Sequence, residues 1–180
     1  MKDTCTDNTN EKEKAQKLKR AKKILLGLQK ELPNYIANGS GPFLAAVYDT
    51  YGNLISKEAN SVVLRQRSHR HAEMNAIKMA EKTLNTYDLS PYDLVLYSTA
   101  EPCMMCLGGI LWAGIKEIYY GVSSNVVEEV TGFDEGFKPD WQEAFRQRGI
   151  IVHGPIEEEA GKKVLQQYVK QNGVFYGPKN

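Results

Sequence analysis

The chain has 180 residues, with 23 basic and 22 acidic side chains, so its formal charge of +1 gives no global drive toward nucleic acid or an acidic membrane. Its length suits one domain with a full core, not two. Three cysteines are too few for a disulfide framework, and the longest apolar run, Met104 to Ile115, is shorter than a membrane span and contains three glycines.

Met1 to about Glu13 is polar, without an apolar period, and reads as a disordered tail with no signal peptide; residues 14–180 are then a single domain. Leu18, Ala21, Leu25, Leu28, Leu32 and Ile36 recur at threes and fours and predict an amphipathic helix. The lysines on its opposite face, Lys17 to Lys30, read as a solvated surface. Asn38-Gly39-Ser40-Gly41-Pro42 breaks the helix. Phe43–Asp49 and Leu54–Ala59 read as strands joined by a turn at Tyr51-Gly52-Asn53. A loop over residues 65–70 leads into His71, and Ala72 to about Leu84 is helical. Leu94–Ser98 lacks alternation, as in a strand buried on both faces. A helix from Pro102 to about Ala113 precedes a strand over Ile115–Gly121. Further on come short helices at Val126–Val130 and from Asp140 to Gln147, a strand at Ile150–Val152, a helix over Ile156–Tyr168, and an aromatic tail over residues 173–177. Helix, strand, helix, strand at this spacing implies an α/β fold with parallel neighbours, and brings the two inner helix starts to one end of the sheet.

Those two starts hold the chemistry. Cys103 and Cys106 lie three apart in Pro102-Cys103-Met104-Met105-Cys106, on one face of a helical first turn, where the positive helix end favours thiolate. His71 is the candidate nitrogen ligand. A Cys-x-x-Cys pair alone also fits a redox pair or half a zinc knuckle, but a structural site wants four protein ligands and Cys5 is the only spare thiol. Three ligands leave the fourth tetrahedral position open, the mark of a catalytic zinc. Glu73, two residues past His71, can stand beside the metal and move protons. Asn60 either ends its strand or orients a planar ring through its amide. Phe43 and Trp112 are core candidates also retained as pocket walls. With two cysteines as ligands, a reducing cytoplasm is the natural compartment.

His71-Ala72-Glu73 with Pro102-Cys103-x-x-Cys106 matches the general signature of zinc deaminases, and here the chain resembles the cytidine/deoxycytidylate deaminase superfamily. The context Glu101 to Cys106 is similar to the branch holding guanine deaminases and bacterial tRNA-adenosine deaminases. Gly132-Phe133-Asp134-Glu135-Gly136 looks like the guanine-deaminase group, some of whose members have aspartate where Glu135 stands. The resemblance implies a three-layer α/β/α fold with a mixed sheet of about five strands. It implies one zinc per subunit and hydrolytic deamination of a free purine, guanine foremost, or of a related ring such as ammeline or a nucleoside. Glu135 would be a second catalytic acid, and Asn60 with the Ala72 backbone would hold the ring. It further implies a homodimer whose C-terminal segments, about residues 155–180, exchange so that Tyr176 closes the neighbour's pocket. The alternatives are editing of tRNA adenosine, with Arg65, Arg67 and Arg70 as a modest basic rim; cytidine or cytosine deamination; and a non-enzymatic zinc scaffold, which would need no Glu73. The balanced charge and the acidic run Glu157-Glu158-Glu159 count against nucleic acid, and no membrane partner is expected.

Overall fold

A computed structural model describes residues 4–134 and 138–177. A five-stranded sheet in the order β2-β1-β3-β4-β5 forms the middle layer. Its strands are β1 (Leu44–Tyr48), β2 (Leu54–Ala59), β3 (Val95–Ala100), β4 (Glu117–Val122) and β5 (Ile151–His153). The β3-β4-β5 half is parallel, as the alternating helix–strand pattern predicts. β1 runs antiparallel to both β2 and β3, which makes the sheet mixed. A tight turn joins β1 to β2, with Asp49 accepting from the Asn53 amide and from its side chain, each at 2.8 Å.

The strands alternate faces, and two apolar clusters result. Leu44, Ala46, Tyr97 and Tyr119 pack against Leu25, Leu28 and Leu32 of α1 (Thr4–Ala37). On the other face, Ala45, Val47, Leu96 and Ile118 meet α3 (Ala72–Leu84) and α4 (Met104–Ala113) through Ala76, Ile77, Leu107 and Ile110. Here too lie α5 (Ser124–Thr131) and α6 (Trp141–Arg146), while α7 (Glu158–Lys170) bridges α5 and α1. Leu25 and Leu32 are almost fully buried, which stabilises α1 by about 1.5–3 kcal/mol each.

The structure departs from the sequence expectations at identifiable places. α1 begins at Thr4, inside the stretch read as a disordered tail. Residues 11–17 contain neither Gly nor Pro, and Glu13 stands four before Lys17, a favourable helical pair. Leu18, expected in the apolar stripe, is exposed. A short helix α2 (Val62–Arg65) takes up the start of the 61–70 connection. α4 starts at Met104, not Pro102, so Cys103 is its N-cap.

Glu117 ties α1 to the sheet's far edge. Its carboxylate accepts from Tyr119 Oη at 2.8 Å, sits 3.4 Å from His153 Nε2, and pairs with Lys17 of α1 at 3.5 Å. His153, then Tyr119 and Lys17, hold its pKa down at about 2, against an ordinary 4.5. Its stabilisation is therefore full above about pH 4.5 and fades as pH falls toward 2. Glu117→Gln is expected to flatten melting temperature against pH in that window; an unchanged slope would show that the carboxylate contributes nothing there.

Candidate metal centre and catalytic pocket

Two helix starts carry the ligand set. His71 is the N-cap of α3 and Cys103 the N-cap of α4, both with extended backbone (φ −68°, ψ 158° and φ −70°, ψ 170°). Cys106 follows one turn into α4 and is buried. The ligand atoms of His71, Cys103 and Cys106 all lie within 4.8 Å of one another. Around a tetrahedral zinc with ordinary bond lengths, two sulfurs stand about 3.8 Å apart and a sulfur and an imidazole nitrogen about 3.6 Å. Here Cys103 Sγ is 3.6 Å from Cys106 Sγ and 3.5 Å from His71 Nδ1. Two edges of the triangle thus already have the lengths of a tetrahedral site, and the third is within 4.8 Å. The Cys103 thiol is acidified to about 4 by its hydrogen bond with Cys106 and then by His71, so a thiolate is available. Cys106 is pushed up by the same bond, by burial and by Glu73.

Glu73 is buried in the first turn of α3. Ser98 Oγ of β3 donates to its Oε1 at 2.8 Å, and the Cys106 thiol donates to its Oε2 at 3.4 Å. Burial, and then the charge at Cys103, raise its pKa above the usual carboxylate value. A carboxyl so placed stands against the ligand triangle, oriented by a hydroxyl and able to hold or release a proton.

Above this floor opens a cavity of about 610 Å³. Phe43, Asn60, His71, Glu73, Phe133 and Tyr176 are among its walls. Asn60 is fully buried; its Oδ1 accepts from Val62 N at 3.2 Å, while its Nδ2 has no partner among the described residues. Gly41 makes room for it: a Cβ there would sit 2.8 Å from Asn60 Oδ1.

The model of the cytidine and deoxycytidylate deaminase zinc-binding region matches residues 18–122, more than half of the chain. The chain belongs to that deaminase family. A guanine deaminase of Bacillus subtilis (strain 168) is 39% identical over 97 residues, 54% of this chain and 60% of that protein, so the match spans less than two thirds of that relative's length. A protein called NE0047, crystallised in complex with 2,6-diaminopurine, superposes with a TM-score of 0.81 at 34% identity, covering 87% of this chain and 85% of that one. A guanine deaminase from Nitrosomonas europaea superposes with a TM-score of 0.76 at 35% identity, over 79% of this chain and 81% of that one.

In this family member the structure brings together most residues singled out from the sequence. His71, Glu73, Cys103 and Cys106 converge, and Asn60, Phe43 and Tyr176 share their cavity. Tyr176 lines the cavity of its own chain, its ring 4.9 Å from that of Phe133 and 6.3 Å from the His71 imidazole. Ala72 is wholly buried behind the wall. Trp112 stands apart: it is 88% exposed on α4 and does not line the cavity. On α4 it lies less than two turns beyond the candidate ligand Cys106 and faces outward. Glu135 lies outside the described residues; its neighbours Phe133 and Asp134 line the cavity.

Two residues without an assigned role in the sequence prove to matter. Ser98, with Thr99 beside it, interrupts a buried and otherwise mostly apolar strand, and that is the signal that marks it. Glu101 of the Glu-Pro-Cys motif accepts from Ser124 N at 2.9 Å and Trp141 Nε1 at 3.1 Å, and pairs with Lys138 at 3.6 Å. It thereby fastens both flanks of the 132–140 segment beside the ligand helix. Substituting Cys106→Ala is expected to remove most of the zinc that the purified chain carries and to lower its melting temperature. Undiminished zinc by elemental analysis would show that the triangle is not the binding set.

Proposed function

We propose that this chain is a zinc-dependent aminohydrolase that converts a free purine base, guanine foremost, to its oxo product and ammonia, with one zinc per subunit. The observation that carries this is Glu73: a buried carboxyl at 3.4 Å from a ligand sulfur, held by Ser98, at the floor of a cavity that also presents an unpaired amide donor. The relatives support the substrate class, since two are guanine deaminases and one was crystallised with an aminopurine.

His71, Cys103 and Cys106 hold the metal, which when bound supplies Lewis acidity and brings the pKa of a water toward neutral. Glu73 takes a proton from the attacking water while its oxygen bonds to the ring carbon bearing the amine. Glu73 delivers that proton to the ring nitrogen, then takes the second proton from the newly formed hydroxyl and passes it to the exocyclic nitrogen. The carbon–nitrogen bond breaks, ammonia leaves, and a carbonyl remains. Asn60 Nδ2 donates to a ring acceptor, and the backbone near Ala72 completes the grip. Phe43, Phe133 and Tyr176 enclose the ring with apolar surface. Glu135 serves as a second acid, accepting from the 2-amino or ring N–H group that guanine offers and adenine lacks. Reduced ligand thiols support a cytoplasmic location; among the described residues no helix is long and apolar enough to cross a membrane.

The assembled form is a homodimer. Met104, Leu111 and Trp112, at i, i+7 and i+8 of α4, leave an exposed apolar stripe that starts at the cavity wall with Met104. A second copy covering that stripe gives Trp112 its role, and an exchanged C-terminal segment is one way to reach it.

Two measurements test the proposal. Glu73→Gln is expected to keep its zinc and lose turnover roughly 10²- to 10⁴-fold, with ammonia release in the parent fastest from guanine among guanine, guanosine, adenine, cytosine, cytidine and ammeline. Full activity in the variant removes the mechanism, and a faster reaction with a pyrimidine removes the substrate. Trp112→Glu is expected to shift sedimentation from dimer to monomer; an unchanged profile places the interface elsewhere.

A further inference from the structure

The connection from Ser61 to Arg70 separates two cavities. Through Val62 and Ser68 it walls the catalytic cavity, and through Ser61, Arg65, Arg67 and Arg70 it walls a second cleft of about 420 Å³. Lys78 of α3 completes the cationic lining, and Glu58 is its one carboxylate. None of these four cations lies within ion-pair distance of a carboxylate among the described residues. Burial raises the Glu58 carboxyl, against the pull of Arg65, Arg70 and Lys78. Arg70 gives one terminal nitrogen to Asn75 Oδ1 at 3.3 Å, but its Nε is buried and has no acceptor among the described residues. A buried guanidinium N–H left without an acceptor is costly, and a bound anion relieves that cost.

We propose that this second cleft binds a small phosphate-bearing anion. Three guanidinium forks and one ammonium around a concave space match an ion with several acceptor oxygens and more than one negative charge. A simple monocarboxylate would leave most of those donors unused. The overall charge of +1 gives no broad positive field, which favours a small ligand over a long polyanion.

The cleft is wired to the catalytic cavity through Asn75. Its Nδ2 lies 2.9 Å from Ala59 O, 3.0 Å from Ser61 Oγ and 3.2 Å from Arg70 O, and Ser61 N donates to Arg70 O at 2.9 Å. Asn60 sits between the first two of these partners, and His71 follows the third. A ligand gripped by Arg65, Arg67 and Arg70 therefore orders the segment whose two ends present the unpaired amide and the imidazole.

The test uses the full-length, zinc-loaded chain. Inorganic phosphate and uridine 5′-monophosphate are expected to bind by calorimetry, uridine not to bind, and amide hydrogen exchange over residues 61–70 to slow on addition of phosphate. Arg67→Gln with Lys78→Gln, both exposed and outside the catalytic cavity, is expected to weaken both phosphates roughly ten- to a hundred-fold. Lys19→Gln with Lys23→Gln removes the same charge from α1 and is expected to change nothing. Absence of phosphate binding, equal binding of uridine, an equal loss in the α1 variant, or binding of tRNA alone would each overturn the proposal. No readout uses turnover, so its failure leaves the deaminase reading untouched.

Discussion

The site depends on the meeting of two helix N-termini over the carboxyl end of β3. One supplies an imidazole from its cap, and the other a thiolate from its cap and a second sulfur one turn on. Neither helix could hold a metal by itself. Their alignment is set by the β1–β3 and β3–β4 pairings beneath and by the packing of α3 on α4. The apolar cluster of Ala76, Leu96, Leu107 and Ile110 is thus the mould for the ligand triangle. A cavity or an added methylene there would be felt as a change in sulfur–nitrogen distance before it was felt as unfolding.

The polar groups around this mould divide into those that are satisfied and those that are not. Glu73 is fixed by Ser98, and Glu101 by a backbone amide, an indole and an ammonium. Asn75 ties three acceptors on both ends of one connection. Asn60 Nδ2 and Arg70 Nε are among the buried donors without an acceptor among the described residues, and the two residues line different cavities. Buried donors are nearly always paired, so those left open are natural places for a ligand to complete. The two open donors stand at opposite ends of the same segment, so occupancy of one cavity can bear on the order of the other.

Much of this was legible in the chain. The stripe from Ala21 to Leu32 marked the helix that covers one face of the sheet, and the stretches Leu94–Ser98 and Ile115–Gly121 marked its centre, which the structure shifts to Val95–Ala100 and Glu117–Val122. Spacing alone put His71 and Cys103 at helix starts, and the structure moved the second start by only two residues. Trp112 was less legible, because a large aromatic in an apolar helix reads the same whether it faces a core, a pocket or a partner. The helix over residues 4–13 was missed because polar composition was read as disorder, although nothing in residues 11–17 breaks a helix.

By itself the sequence marked the candidate donors, the acid beside them and the α/β order that carries them, because ligand chemistry and apolar period are properties of residues and their local spacing. Tertiary structure decided which open groups face which cavity. Ser98 meets Glu73 and Glu101 meets Trp141 across separations of 25 and 40 residues. The two faces of the Ser61–Arg70 connection belong to different cavities although they alternate along one short stretch. Such pairings are set by sheet register and helix packing, which integrate contacts over the whole chain and leave no mark on any local pattern.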